Sequence, residues 1–394
     1  MPKVKPAVLE WARKTAGLSL EDAAKAIGLN DARGVTGADR LAKLEFAETE
    51  ISRQLLSRMA ERYRRPLITF YLEAPPPTGE RGEDFRLASK SAPPEFDPNL
   101  DALIRNVRAR HDVVKFLLEE DESESLAFVA SAKISDGVAA VANDILKVTE
   151  FDLVEFRRAS NISKAFEYLR ERLERTGLFV LLLGDLGSHH SKIQSRAFRG
   201  YAIADRIAPF IVINDNDARA AWSFTALHEA VHIWLGQTGV SGSSHAAAIE
   251  RFCNDVAAAI LLPSHEAELI NSGELQSLAG SIAAIANFAS ERNVSRAMVA
   301  YLLLRKGKIS AARYEELDNH FYGEWQKKKE KEPDKEERRG PNRYVVLRHR
   351  LGPALVGLAR QYLDAGSLSP TKASNLLGVK PSAVRTFLHP ESAL

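Results

Sequence analysis

The chain has 394 residues, 45% of them hydrophobic and 27% charged, and its 54 basic and 52 acidic residues leave a formal net charge of +2. That length accommodates two or three domains, and the apolar content is enough for buried cores, which excludes global disorder. Near-neutrality excludes a uniformly polycationic protein but leaves room for a local basic patch. No apolar run approaches the ~20 residues of a membrane helix, and the N-terminus, MPKVKPAVLEWARK, lacks the apolar stretch of a signal peptide. A single cysteine forms no internal disulfide. The expected setting is therefore a reducing cytoplasm, with no membrane partner.

Residues 1–73 read as a compact helical bundle. Val8, Leu9 and Ala12 fall at helical spacing, and Ser19 is placed to cap a helix that Gly28 ends. Leu20, Ala23, Ala24 and Ile27 form one apolar stripe between them. Leu41 with Leu44 marks another helix, and Leu55, Leu56, Met59, Ala60 and Tyr63 a further one. Residues 74–99 are rich in proline and read as a linker. Residues 100–175 are mainly helical, with Gly177 placed to end the last helix.

The texture then changes. Leu178–Leu183, Gly200–Ile203 and Phe210–Asn214 (FIVIN) are short strand candidates. Helical spacing returns after Asp217 and persists to about residue 306, so 176–310 reads as a helical unit with a small sheet. Asp215 and Asp217 read as turn and cap residues. Residues 311–343 read as a charged linker, whose 326–343 part is nearly devoid of apolar residues. In 344–394, Ser369, Gly378 and Pro381 punctuate a helical module resembling a helix-turn-helix, expected to pack or dock, with nucleic-acid contact as the alternative. The fold class is α+β, predominantly helical.

The chemistry lies in His228-Glu229-Ala230-Val231-His232. Histidines four apart share one helix face, so both imidazoles can reach one metal ion, and the glutamate beside the first can take a proton from water. With 10 histidines and 52 acids in the chain, such a pattern arises by chance about 0.03 times. A third ligand is needed. Glu250, 18 residues downstream in the helix-like run IERFCNDVAAAILLP, is favoured, with His245 the competitor. Asn254, four residues after Glu250, is placed to orient a metal-bound imidazole. Cys253 reads as a small buried apolar residue, with a thiolate ligand as the alternative. His189 and His190 read as surface residues of a polar loop, or as substrate-facing ones.

FTALHEAVHIWLG followed by IERFCNDVAAAILLP resembles the ImmA/IrrE family of zinc metallopeptidases, and RGYAIADRIAPFIVINDND resembles the strand region that precedes its metal helix. The resemblance covers about residues 165–306. It implies a zincin-like domain holding one zinc ion on His228, His232 and Glu250, with Glu229 as general base. Ala230 and Val231 stand where that family often has Leu-Gly or Ile-Gly. VLEWARKTAGLSLEDAAKAIGL with LAKLEF and LLSRMAERYRRPLITFYLEAPPP resembles the Xre-type helix-turn-helix domain. Its inter-helix segment NDARGVTGAD is longer than usual, and Ile51 lies where a proline is common.

In a helix-turn-helix, Arg40 and Lys43 are the expected DNA contacts, their alternative being ordinary solvated residues. Residues 1–75 hold 13 basic and 10 acidic residues, and Arg53, Arg58, Arg62, Arg64 and Arg65 form a cluster that could touch phosphates. The resemblance implies cleavage of a partner transcriptional repressor in a stress or mobile-element response. FIVIN, if an edge strand, would align the substrate. Two alternatives remain: a DNA-binding regulator whose zinc domain senses a signal with little proteolysis, and a component of a toxin–antitoxin or phage-defence system.

Overall fold

The computed structural model describes residues 4–32, 34–46, 51–76, 98–188, 191–195, 197–238, 244–331 and 342–390. They fall into two compact units, one ending at Asn106 and the other beginning at Val107.

The first unit contains α1 (Pro6–Lys14), α2 (Leu20–Ala26), α3 (Gly37–Phe46), α4 (Arg53–Arg62), a 3-10 turn at Leu67–Tyr71, and the start of α5 (Pro98–Glu120). Ser19 caps α2 by accepting from the Asp22 amide, and Ser52 caps α4 in the same way from Leu55. Leu9, Ala23, Ala24, Ile27, Leu41, Leu56, Met59 and Phe70 make the core. Across it, Arg13 grips Glu45 through two bonds of 2.8 and 2.9 Å, tying α1 to α3. Lys43 is exposed, whereas Arg40 donates to the Asn30 carbonyl at 2.5 Å and so fastens the turn before its own helix.

Within the basic cluster, Arg64 donates to Asn99. Arg65 lies 4.2 Å over the Trp11 ring and donates to Thr15. Burial, with Arg105 close by, pulls Arg65 down to about 10. These two arginines are engaged inside the unit, while Arg53, Arg58 and Arg62 stay exposed.

The second unit continues with α6 (Val138–Thr149), α7 (Leu153–Arg158) and α8 (Ile162–Arg175). The sheet follows, in strands β1 (Phe179–Leu182), β2 (Gly200–Ile203) and β3 (Phe210–Ile213), in the order β1-β3-β2. β1 pairs parallel to β3, with Val180 opposite Ile211, and β2 pairs antiparallel, with Tyr201 opposite Val212. Every strand residue is buried, as continuous apolar runs require. FIVIN is thus the central strand. The edge-strand expectation fails because β2 and β1 occupy its two sides, a pairing that short apolar runs do not encode.

Next come α9 (Arg219–Trp234), α10 (Ser244–Leu261), α11 (Leu278–Glu291), α12 (Arg296–Arg305) and α13 (Ala311–Lys331). α14 (Arg343–Leu351), α15 (Pro353–Asp364), α16 (Pro370–Leu377) and α17 (Val384–Leu388) close the chain. α9 is central: it packs against α8, α10, β2 and β3, and twelve of its 16 residues are buried. The segment expected to be a charged linker from 311 instead starts as α13. Leu317 and Phe321, one turn apart, are buried and seat that helix on α12. The rest of that segment to residue 341 lies outside the described residues, as does most of the proline-rich 74–99 stretch, although α5 already begins at Pro98.

The C-terminal helices belong to this second unit. Ser369 caps α16, and Gly378 follows its last residue as expected. α14 packs beside β1, the strand whose outer edge needs cover. Buried Arg170 supplies it, donating to the Val180 carbonyl and to the His349 and Arg350 carbonyls of α14, while Glu174 holds its Nε at 3.1 Å. Among the described residues the chain is a predominantly helical α+β protein, and no described helix is long and apolar enough to cross a membrane.

Candidate metal centre

α9 has no proline or glycine between Arg219 and Trp234, and its C-terminal end is fixed by groups outside the helix. At the start, Ala218 is the N-cap residue, without a side-chain cap; the Asp217 carboxylate accepts from the adjacent Ala218 amide, at 2.8 Å, so the expected capping role is not met. Asp215 lies in the turn before the helix, as expected, and its carboxylate accepts from Arg350. At the far end, the amides of Ala130 and Ala132 donate to the carbonyls of Ile233 and Trp234, groups that a helix terminus leaves open. The Trp234 indole stacks on Phe128 at 4.4 Å and donates to Asp144, which locks the last turn.

The locked helix presents His228 and His232 inward, at 0% and 1% exposure. Solvated surface histidines are excluded. Their Nε2 atoms are 3.1 Å apart. α10 crosses against α9 and brings Glu250 to both: Oε2 lies 3.3 Å from His228 Nε2 and Oε1 lies 3.2 Å from His232 Nε2. An ion bound tetrahedrally at ~2.0–2.1 Å sets its donor atoms about 3.3 Å apart. The donor set and its spacing therefore fit a single metal ion. Glu250 keeps 27% of its side chain exposed, so the cluster opens to solvent on that side.

Cys253 occupies the other side of His232. Its Sγ is 3.8 Å from Nδ1, the ring nitrogen facing away from Glu250. His228, His232 and Cys253 form a group with donor atoms within 4.8 Å of one another and could also hold a metal. The shared focus of both Nε2 atoms lies at Glu250, however, and Cys253 stands behind the ring, where a metal-binding histidine usually finds its orienting partner. Burial alone would lower His232, but the Cys253 thiol and the Glu250 carboxylate hold it well above its ordinary value. Burial would raise Glu250, yet the two histidines hold it far below the usual carboxylate range. Burial keeps the Cys253 thiol protonated, its value pushed up.

Glu229 is 2% exposed and lies against β2. A Cβ at Gly200 would come within 2.3 Å of its Oε1 and 2.7 Å of Thr225 Cγ2, so only glycine lets the strand approach this closely. Gly200 went unrecognised in the sequence, although a glycine opening a strand candidate is a sign of close backbone approach. Asn254 is half-buried, one turn beyond Glu250 on the same face. His245 falls in the first turn of α10, but its side chain, with His189 and His190, lies outside the described residues.

Neither a curated protein nor a solved structure matches the chain. Residues 185–304, which carry β2, β3, α9 and the positions His228, Glu229, His232 and Glu250, match the peptidase M78 family model, described as an IrrE N-terminal-like domain, a match that supports a metallopeptidase-type function.

Proposed function

We propose that the chain is a zinc-dependent endopeptidase that cuts a partner transcriptional repressor. The observation that carries this reading is the meeting of two imidazole Nε2 atoms, 3.1 Å apart, with one Glu250 oxygen each at 3.3 and 3.2 Å. His228, His232 and Glu250 hold the ion. Zinc at that point supplies Lewis acidity, which polarises a peptide carbonyl and lowers the pKa of water. Glu229 takes the proton from the attacking water and delivers it to the leaving amine, and its buried position beside Gly200 fixes the carboxylate for both transfers. Cys253 orients His232 through Nδ1, and Asn254 orients the ligand set from one turn beyond Glu250.

β2 takes the aligning role. The Asn214 amide donates to the Arg199 carbonyl, which puts the Arg199–Asn214 and Tyr201–Val212 pairs in hydrogen-bonding register. The main-chain groups of Gly200 and Ala202 therefore face away from β3, toward the side where an extended substrate can pair. The N-terminal helical unit serves to dock the repressor or its operator.

The test is cleavage of a candidate repressor by the full-length chain loaded with zinc. Glu229→Gln should keep the metal and stop cleavage; unchanged cleavage overturns the assignment. In the competing reading, a DNA-binding regulator with little proteolysis, operator binding is present and Glu229→Gln changes nothing in the output. His232→Ala should lose the metal, measured as zinc per chain.

A further inference from the structure

A cavity of about 1050 Å³ opens between the N-terminal ends of α9 and α12 and the C-terminal half of α13. Its floor belongs to the helix that carries the metal cluster. Ala218 and Ala221 line it, and on an α-helix Ala221, Thr225, Glu229 and His232 fall along one stripe. The step from Ala221 to His228 is about 10 Å, the reach of about three residues of extended chain. Arg199, which precedes Gly200, lines the opposite wall, so the edge of β2 leads into the cavity.

The charges on the walls are unequal after internal pairing. Arg296 is bound to Glu324 at 2.6 Å, Asp215 to Arg350 at 2.6 Å, and Arg199 faces Asp217 at 3.8 Å. Arg219, Lys327, Lys328 and Lys329 then stand against Asp318. Lys329 donates to the Asn216 carbonyl and lies 4.7 Å over Trp325, whose ring is 5.6 Å from Tyr322. The result is a cationic rim above an aromatic shelf.

We propose that this cavity is a substrate subsite that receives an acidic stretch of the polypeptide, about three residues from the bond that is cut. The proposal rests on the endopeptidase reading and adds the chemistry of the substrate to it. Cation excess selects carboxylates, the aromatic shelf accepts the adjoining apolar surface, and Arg199 places both at the end of β2, the strand packed on Glu229.

The experiment separates the two claims. The full-length Glu229→Gln chain, loaded with zinc, is titrated into two pools of fluorescein-labelled ten-residue peptides, one with a central Glu-Glu pair and one with Lys-Lys, and anisotropy is read. The Glu-Glu pool should bind about tenfold more tightly, and Lys327→Glu with Lys328→Glu should cancel or invert that preference. With the active chain, the same double substitution should raise KM for Glu-Glu peptides and leave kcat unchanged.

Equal affinity for the two pools, or a preference indifferent to the double substitution, overturns the proposal. Saturable binding of ATP that abolishes peptide binding makes the cavity a small-anion effector site and also overturns it. If peptides bind selectively but none is cut by the native chain, the endopeptidase reading fails while the acidic-peptide site stands.

Discussion

Three buried polar clusters in the second unit invite comparison. Arg350 sits between Asp185 and Asp215, at 2.8 and 2.6 Å. Glu266 sits between Arg157 and Arg292, at 2.6 and 2.7 Å. These two mirror each other, an ion of one sign held by two of the other, and each joins elements far apart in sequence. His228, His232 and Glu250 are built differently, because with both imidazoles neutral every atom aimed at their common centre is a lone-pair donor. Such a set is completed by a cation, whereas the other two complete themselves. Removing a member should therefore cost stability in the self-balanced clusters and function in the histidine cluster.

The largest expected effect tests the functional side. Glu229→Gln should lower peptide hydrolysis by about 10²–10⁴-fold with zinc content and urea midpoint unchanged. A lost fold instead of a lost rate would erase the distinction. Arg350→Met tests the other side: it leaves two buried carboxylates without their cation and should cost about 3–5 kcal/mol in denaturant unfolding, with zinc binding retained. A midpoint equal to wild type would show that the cluster is ornamental.

Between these lie two substitutions at the border of the site. Gly200→Ala places a methyl where Glu229 Oε1 stands and should cost about 1–3 kcal/mol, with a fall in hydrolysis that exceeds any fall in zinc content. Cys253→Ala should weaken zinc binding about 10- to 100-fold, and Cys253→Ser should restore part of it, since a hydroxyl can still meet Nδ1. If both Cys253 substitutions leave zinc affinity untouched, the thiol only fills space.

The sequence exposed these clusters unevenly, for physical reasons. His228 and His232 were legible because both their spacing and their neighbourhood are local: four residues on one helix is one turn, and the flanking apolar residues announce burial. Glu250 could be named because the run after it has helical period, and α10 brings it to both imidazoles. The order of the sheet was not legible. FVLL, GYAI and FIVI are all short and apolar, and nothing within such a run says which two flank the third. Nor was the Arg350 cluster, whose partners are 165 and 135 residues away in the chain. α13 was misjudged because its charged end dominates its composition, while only a few residues, Tyr314, Leu317 and Phe321 among them, seat it.

Glu266 gives the smallest effect and the clearest sign. Burial by itself would raise its carboxyl, but Arg292 and Arg157 outweigh burial and hold it below its ordinary 4.5. The folded state thus binds this proton less readily than the unfolded chain does. The stability it contributes is fully present above pH 4.5 and is lost as pH falls through the lower folded value. Glu266→Gln should therefore cost about 1–2 kcal/mol at pH 7, and the gap to wild type should narrow as urea unfolding is repeated toward pH 3.5. Asp215 carries the opposite sign, since burial outweighs Arg350 and raises its carboxyl above 3.8. Its protonated form is the stabilising one, with that contribution complete below pH 3.8 and lost as pH rises through the raised folded value. Wild type should gain stability relative to Asp215→Asn on acidification. Two parallel slopes would mean that the two arginine–carboxylate clusters are not electrostatic mirror images.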